Sequence, residues 1–160
     1  MAIIPLSGRA AIATLIKDHD VYLAWGTGDA GWDTTPVAPT NSDDDLEAEL
    51  GRRQVTSMGY VTPDLNGSIV LPGGAKYSTS VSPTAYLYVR TVFEFTDEPT
   101  ATIRECGLWQ GTVPTSGHES DAYLAIANVG TKGLLLTLDR FPKITRSGSN
   151  REIFEFVLQI

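Results

Sequence analysis

The residues with reactive side chains are few and lie far apart in the chain. His19 and His118 are the only histidines, so a zinc site lacks the further His or Cys ligands that it needs. A serine nucleophile elbow, Gly-x-Ser-x-Gly, does not occur, and the Ser-Gly-Ser at residues 147–149 has turn composition. The single cysteine, Cys106, lies in strand-like sequence and is expected to be a buried structural thiol. The sequence therefore predicts a protein that is not an enzyme.

Two other patterns could bind a ligand. Residues 26–28, Gly-Thr-Gly, follow a predicted strand, but acidic residues come next instead of the Lys and Ser or Thr of a phosphate loop. Asp43, Asp44 and Asp45 could offer oxygens to calcium, which needs its ligands arranged around a turn. Because three adjacent side chains diverge where a helix begins, this run is predicted to be a helix N-terminus. No cofactor and no metal is expected.

The elements that would position these residues start with a short helix. Residues 7–17 favour a helix with Ser7 as N-cap, and residues 21–25 alternate as a strand does. Residues 29–42 have loop composition. A second helix over residues 46–50 is expected, capped by Ser42 and ended by Gly51, followed by extended chain over residues 52–62.

Strands and turns dominate the rest of the chain. The clearest strand covers residues 86–96 and puts Leu87, Val89 and Phe93 on one face. Further strands are predicted at residues 102–109, 123–129, 134–138 and 152–160. The predicted fold is mainly β: an antiparallel β-sandwich or small barrel with one or two short helices near the N-terminus. One structural domain over residues 1–160 is expected.

Composition excludes several classes of partner. Twelve basic residues against nineteen acidic ones give a net charge of -7, and no basic cluster offsets it, so nucleic acid is not an expected partner. No stretch approaches membrane-spanning length, so no membrane is expected either. Pro5, Gly8 and Arg9 interrupt the apolar start, which argues against a signal peptide. A single cysteine fits synthesis in a reducing cytoplasm.

Charged and aromatic residues supply the candidates for contact. Arg104 and Glu105 face opposite sides of a strand, so either one of them points inward and needs a partner, or both lie in water near a sheet edge. Tryptophans could be core residues or exposed anchors. Trp32, in a loop with Pro36 and Pro39, is the best candidate for an exposed anchor.

Two motifs, in this order, carry a family resemblance. Residues 22–28 read Tyr-Leu-Ala-Trp-Gly-Thr-Gly and residues 103–109 read Ile-Arg-Glu-Cys-Gly-Leu-Trp. Between them lie Leu-Glu-Ala-Glu-Leu at residues 46–50 and Gly-Arg-Arg at residues 51–53, and a final strand covers residues 153–160. Over nearly its whole length the chain resembles the N-terminal module of phage tail-collar fibre proteins and related tail-attachment proteins.

The resemblance implies a structural virion protein of a tailed phage, made in the host cytoplasm and placed in the tail, the baseplate or the neck or collar. It implies a homo-oligomer, with a trimer favoured, that contacts other tail, baseplate or neck proteins. The chain stops at Ile160 within the closing strand, so an attachment role is expected rather than receptor binding. The residues expected at interfaces are Trp32, Asp43, Asp44, Asp45, Arg52 and Arg53, with Arg104 and Glu105 holding the sheet or an interface.

Two alternatives of other classes stay open at this point. A carbohydrate- or host-surface-binding β-sandwich would use exposed aromatic residues such as Trp32 and Tyr77. A small hydrolase would use His118, and loss of activity on its replacement by alanine would be its sign.

Overall fold

A computed structural model describes residues 2–160 of the chain, and over these residues the fold is one α-helix followed by β-strands. Helix α1 spans Leu6–Lys17. The strands, in chain order, are β1 Val21–Gly26, β2 Glu49–Gln54, β3 Ser57–Pro63, β4 Ile69–Val70, β5 Lys76–Ser80, β6 Tyr86–Phe93, β7 Thr100–Gln110, β8 Val113–Pro114, β9 Tyr123–Ala125, β10 Val129–Thr131, β11 Leu134–Ser147 and β12 Glu152–Gln159. Short 3-10 turns cover Ala30–Trp32 and Ile126–Asn128.

The chain divides into two compact units. Unit 1 contains the described residues up to His19 together with Val55–Thr91 and Ile153–Ile160. Its sheet has the strand order β12-β6-β3-β5-β4, and β3 pairs antiparallel with both β5 and β6. Along β6, buried and half-buried residues alternate, so the predicted alternation of residues 86–96 is confirmed over this strand.

Unit 2 contains Asp20–Gln54 and Val92–Glu152. Its main sheet has the order β11-β7-β1-β2-β9, with antiparallel pairing at each step, and β8 and β10 form a separate ribbon. Strand β1 lies at the centre of the main sheet and is buried at every position. At its end, Trp25 stacks on Phe93 with ring centroids 3.6 Å apart. An apolar strand covered on both faces explains this continuous burial.

Helix α1 begins one residue earlier than the sequence predicts. Pro5 occupies the N-cap position, and Ser7 lies inside the first turn instead of capping it. The helix ends at Lys17, whose positive charge lies at the negative end of the helix dipole. None of the helical segments in residues 2–160 has the length and hydropathy that a membrane crossing requires.

The predicted second helix is wrong. Residues 41–48 form turns and bends, and β2 begins at Glu49, so Gly51 is a strand residue rather than a helix cap. The extended chain predicted over residues 52–62 is two strands, β2 and β3, separated at Val55 and Thr56. The mainly β class, with antiparallel sheets and a helix near the N-terminus, is confirmed. That residues 1–160 act as one structural domain stays a prediction.

Candidate functional site

The two sequence motifs are neighbouring strands of the unit 2 sheet. Residues 22–26 in β1 pair antiparallel with residues 105–109 in β7, so that Gly26 lies opposite Glu105 and Tyr22 opposite Trp109. The two motifs are far apart in sequence, yet the sheet pairs five positions of one with five positions of the other. The two motifs are thus paired strands of the main sheet, and the loop at residues 41–48 packs against them.

The Glu105 side chain binds the backbone of the loop at residues 41–48. The side chain is fully buried, and its two carboxylate oxygens accept hydrogen bonds from the backbone amides of Glu47, at 3.0 Å, and Ala48, at 2.8 Å. Hydrogen bonds to an ionised acceptor are about twice as strong as neutral ones. Two alternatives were open for Arg104 and Glu105. The structure has the first of them: one charge, that of Glu105, faces inward and has hydrogen-bond partners.

Gly26 leaves the space that this contact needs. A Cβ atom at this position would lie 2.5 Å from the Glu105 Oε1 and 2.6 Å from the Ala48 carbonyl oxygen. The next residue, Thr27, donates its backbone N–H to the same Ala48 oxygen at 2.9 Å. Gly-Thr-Gly is thus a close-approach motif for protein backbone: Gly26 is the last residue of β1, and residues 27–28 are irregular rather than the predicted turn.

Leu46 anchors the loop from the apolar side. Its side chain is buried in a cluster with Ala24 and Trp109, and Leu135 and Leu138 pack against that cluster. A Cβ atom on Gly107 would come within 2.9 Å of the Leu46 Cδ1, so the glycine of the second motif admits this leucine. Burying one leucine contributes about 1.5–3 kcal/mol, which explains why the segment is an anchored loop instead of a short helix.

Arg52 was expected to contact a partner but is completely buried in β2. Its guanidinium forms two hydrogen bonds of 2.8 Å to the two carboxylate oxygens of Glu49. The same group donates to the Thr112 hydroxyl at 2.7 Å and to the Lys132 carbonyl at 2.6 Å, and lies 4.6 Å above the Trp109 ring. With these donors used inside unit 2, Arg52 is a buried ion of that unit, and its role at an interface stays a prediction.

Arg53 is also a strand residue with an internal partner. It donates to the Asp97 carboxylate at 2.6 Å, and the same Oδ2 accepts the backbone N–H of Glu94 at 2.8 Å. Arg146, nearly fully buried, donates to the Asp97 carbonyl at 2.8 Å and to the Glu94 carbonyl. The loop at residues 94–97 is therefore fixed by two arginines from different strands.

Arg104 and Trp32 each have a charged partner within unit 2. Arg104 donates to Asp33 at 2.7 Å and to the Thr27 carbonyl at 2.8 Å, and Lys143 contacts the other Asp33 oxygen at 2.6 Å. The hydrogen bonds from Lys143 and then Arg104 hold the pKa of Asp33 below its ordinary value. Trp32 is half-buried beneath the Arg140 guanidinium, 4.7 Å from the ring centroid, so it is not the freely exposed anchor that its loop position indicated.

The acidic run faces basic residues of the same unit. Asp43 contacts Arg140 at 3.3 Å and accepts the Thr40 backbone N–H at 2.7 Å, and Asp45 pairs with Lys132 at 2.5 Å. Asp44 between them is exposed. Across the described part of the chain, no group of three or more His, Cys, Asp or Glu side chains is placed to hold a metal ion.

The reactive residues are not brought together. Cys106 is buried in β7, and burial, followed by the negative charges of Asp139 and Glu105, raises the pKa of its thiol to about 12. His118 is half-buried and contacts Asp121 at 2.7 Å, while His19 contacts the Leu15 carbonyl in the other unit. Cys106 is therefore a protonated structural thiol, as its strand position predicts.

Several residues that stabilise unit 2 could not be identified from the sequence. Arg146, Arg140 and Lys132 are basic residues scattered through a polar stretch, and only the fold pairs them with acidic residues or carbonyl groups. Gly107 and Leu46 lie in the motifs at residues 103–109 and 46–50, but their contact depends on the fold bringing these distant segments together, which spacing alone does not show.

Buried charged side chains connect separate segments of unit 2, and Glu105 and Leu46 hold the loop at residues 41–48, which we name the pinned loop. Comparison with known proteins agrees with a structural role. Curated proteins give no match to the chain. A family model described as Baseplate wedge 3 tail fiber network component matches residues 1–160, so the chain belongs to this family of structural phage tail proteins.

Proposed function

We propose that this protein is a non-enzymatic attachment module at the periphery of the phage baseplate, where it holds tail fibres to the wedge. It acts by burying surface against copies of itself, as a homo-oligomer for which the family resemblance favours a trimer, and against neighbouring tail proteins. The finer resemblance to tail-collar fibre N-terminal modules belongs to this proposal, and the baseplate is favoured over the neck or collar.

The single observation that carries the proposal is the family match over residues 1–160. The bracing of unit 2 supports a mechanical role, because buried ions with several fixed partners, such as Arg52 and Glu105, hold strands and loops in one arrangement. A fibre-holding part must transmit force without rearranging, and a scaffold with this many cross-links between distant segments meets that need.

The test is immunogold electron microscopy of intact particles with antibody raised against this chain. Label at the distal end of the tail, at the baseplate rim, is the expected result. Label at the neck would contradict the baseplate assignment while leaving a structural role in place. Antigen-positive particles without any label would contradict both, and a glycan array would then test the sugar-binding alternative.

A second experiment, with particles assembled without this chain, distinguishes fibre attachment from a role in the wedge itself. Particles assembled without this chain are expected to keep the baseplate and to lose the fibres. A particle that keeps its fibres without this chain would contradict the proposed attachment. Loss of the whole baseplate would instead indicate a wedge component, and complementation with the intact chain controls for secondary effects.

A further inference from the structure

Helix α1 borders an apolar groove in unit 1. Two adjoining cavities of about 360 and 620 Å³ lie along it and share Ser7, Ala10 and Pro83, so they form one continuous groove. Leu6 and Tyr86 line one part of it and Ala11 lines the other. We name this surface the α1 groove.

Apolar side chains that line the α1 groove are exposed to solvent. Leu6 is 75% exposed and Leu15 is 63% exposed. A contiguous exposed apolar surface on a soluble protein marks a contact site, whereas single exposed apolar residues need no explanation. The concave shape of the α1 groove adds a geometric reason for a partner to seat there.

Charge is distributed unequally between the two units. Unit 1 holds four basic and three acidic residues, namely Arg9, Lys17, Lys76, Arg90, Asp18, Asp64 and Glu155. Of the 12 basic and 19 acidic residues in the chain, the remaining eight and sixteen are in unit 2. Two copies that met through unit 2 would bring like charges together, while a contact through unit 1 joins two nearly neutral surfaces.

The α1 groove is also complementary to itself. Ser7, Ala10, Ala11 and Thr14 share one face of α1 at the i, i+3, i+4 and i+7 positions and form a floor of small side chains. Leu6 projects at the edge of that floor. A second α1 can therefore place its leucine over the small residues of the first, in a contact that uses the same surface on both copies.

From the shape of the α1 groove and this charge distribution, we propose that its occupant is a second copy of this chain, with helix packed against helix. The proposal rests on the proposed function, because it identifies the surface through which the attachment module associates with itself. It commits to a two-fold contact through α1, which pairs copies and does not by itself close a trimer.

The experiment measures the molar mass of the purified full-length chain by light scattering and sedimentation over a range of concentrations. The native chain is expected to associate, and added salt is expected to leave this association intact or strengthen it, because the contact is apolar and the copies repel each other. Leu6→Glu is expected to raise the dissociation constant at least about tenfold, because a charge is then buried where a leucine packed.

Leu134→Glu is the matched control. It makes the same substitution at a leucine that is 64% exposed in unit 2, and association is expected to stay unchanged. Glutamate suits the first turn of a helix, so Leu6→Glu is expected to keep α1 folded, which circular dichroism checks. A second measurement uses Ala11→Cys, which is expected to form a disulfide-linked dimer on oxidation, since the native Cys106 is buried.

Each other outcome overturns the inference in a recognisable way. A native chain that stays monomeric at high concentration excludes self-contact. Association that both glutamate variants weaken equally, or that Leu6→Glu leaves unchanged, excludes the α1 groove as its surface. If the monomeric chain still enters particles and Leu6→Glu blocks entry, another tail protein occupies the groove; the attachment role then stands and its homo-oligomer part fails. If the chain associates through α1 but is absent from particles, the proposed function fails alone.

Discussion

Glu105 shows how one buried carboxylate can define a loop. Its two oxygens face the backbone amides of Glu47 and Ala48, and Gly26 supplies the space beside them. Because both donors are backbone amides, these two hydrogen bonds do not depend on which side chains the loop carries. The loop sequence is therefore constrained mainly at Leu46, while exposed Glu47 and Asp44 are not fixed by this contact.

Replacement of Glu105 by glutamine tests this residue-scale interpretation. A glutamine keeps one acceptor oxygen and turns an NH₂ group toward the second amide, so two donors face each other. We expect Glu105→Gln to lower the free energy of unfolding by about 1–3 kcal/mol. Denaturant unfolding followed by tryptophan fluorescence measures this, because Trp25, Trp32 and Trp109 all lie in unit 2.

Glu47→Gln is the matched control, because it makes the same chemical change on an exposed side chain of the pinned loop. It is expected to change stability by less than about 0.5 kcal/mol. Hydrogen exchange adds a local measurement, in which the Ala48 amide should exchange faster in Glu105→Gln. Equal stability of the two variants would contradict the bracing role of Glu105.

At the scale of elements, the sequence identified strands better than loops. Alternation in β6 and the apolar run of β1 depend on burial within a sheet, and such patterns are readable from sequence alone. The acidic start and Leu-Glu-Ala-Glu-Leu composition indicated a helix at residues 46–50, but local propensity there is weak. Contacts of Leu46 and of the Glu47 and Ala48 amides with distant strands decide the conformation.

The same limit applies to the candidate contact residues. Arg52 and Arg53 begin the predicted extended segment, and β2 places Arg52 in the interior and Arg53 beside Asp97. Successive side chains of a strand point to opposite faces, so the sequence could predict that at most one of Arg104 and Glu105 points inward. The partner of each charge was not foreseeable, because it comes from a segment tens of residues away.

Arg52 links β2 to other elements, and its removal is the element-scale prediction. Arg52→Met leaves the Glu49 carboxylate buried without its main cation, since Lys132, at 3.6 Å, is the one other cation near it among residues 2–160. We expect a loss of about 3–5 kcal/mol in the free energy of unfolding. Adding Glu49→Leu to the same chain should restore part of the loss, because the uncompensated charge is then removed.

Arg151→Met is the control for this pair, because the Arg151 side chain is 54% exposed and that of its partner Glu94 is 34% exposed, far more than the Arg52–Glu49 pair. It should cost less than about 1 kcal/mol. Denaturant unfolding of the three variants by tryptophan fluorescence gives the comparison. A double variant no more stable than Arg52→Met would show that the guanidinium acts through its carbonyl contacts rather than through Glu49.

At the scale of the whole molecule, the two units differ in character. As a baseplate-family component the protein lies in the virion tail and interacts with other tail proteins. Unit 2 holds most of the charge and the braced ion network, while unit 1 holds the α1 groove and little net charge. A protein with a net charge of -7 stays soluble by repulsion, so a nearly neutral region is where association can begin.

Titration of buried groups gives the whole-molecule prediction. The pKa of Cys106 is raised to about 12, chiefly by burial, whereas an unfolded thiol titrates near its ordinary value of about 8.5. Between these values the unfolded chain releases a proton that the folded chain retains, so stability is full below about pH 8.5 and falls as the pH rises. Burial likewise raises the pKa of Tyr22 and Tyr123, whose contributions begin only above about pH 10.

The interval from about pH 8.5 to 10 therefore isolates the thiol, and the free energy of unfolding of the native chain should decline there by up to about 1.4 kcal/mol per pH unit. Cys106→Ala should start from a lower stability, because it leaves a small cavity, but should stay flat across the same interval. Urea unfolding at closely spaced pH values, followed by tryptophan fluorescence, measures both curves. A decline of equal slope in Cys106→Ala would assign the alkaline loss to other groups and contradict a buried, protonated thiol in β7.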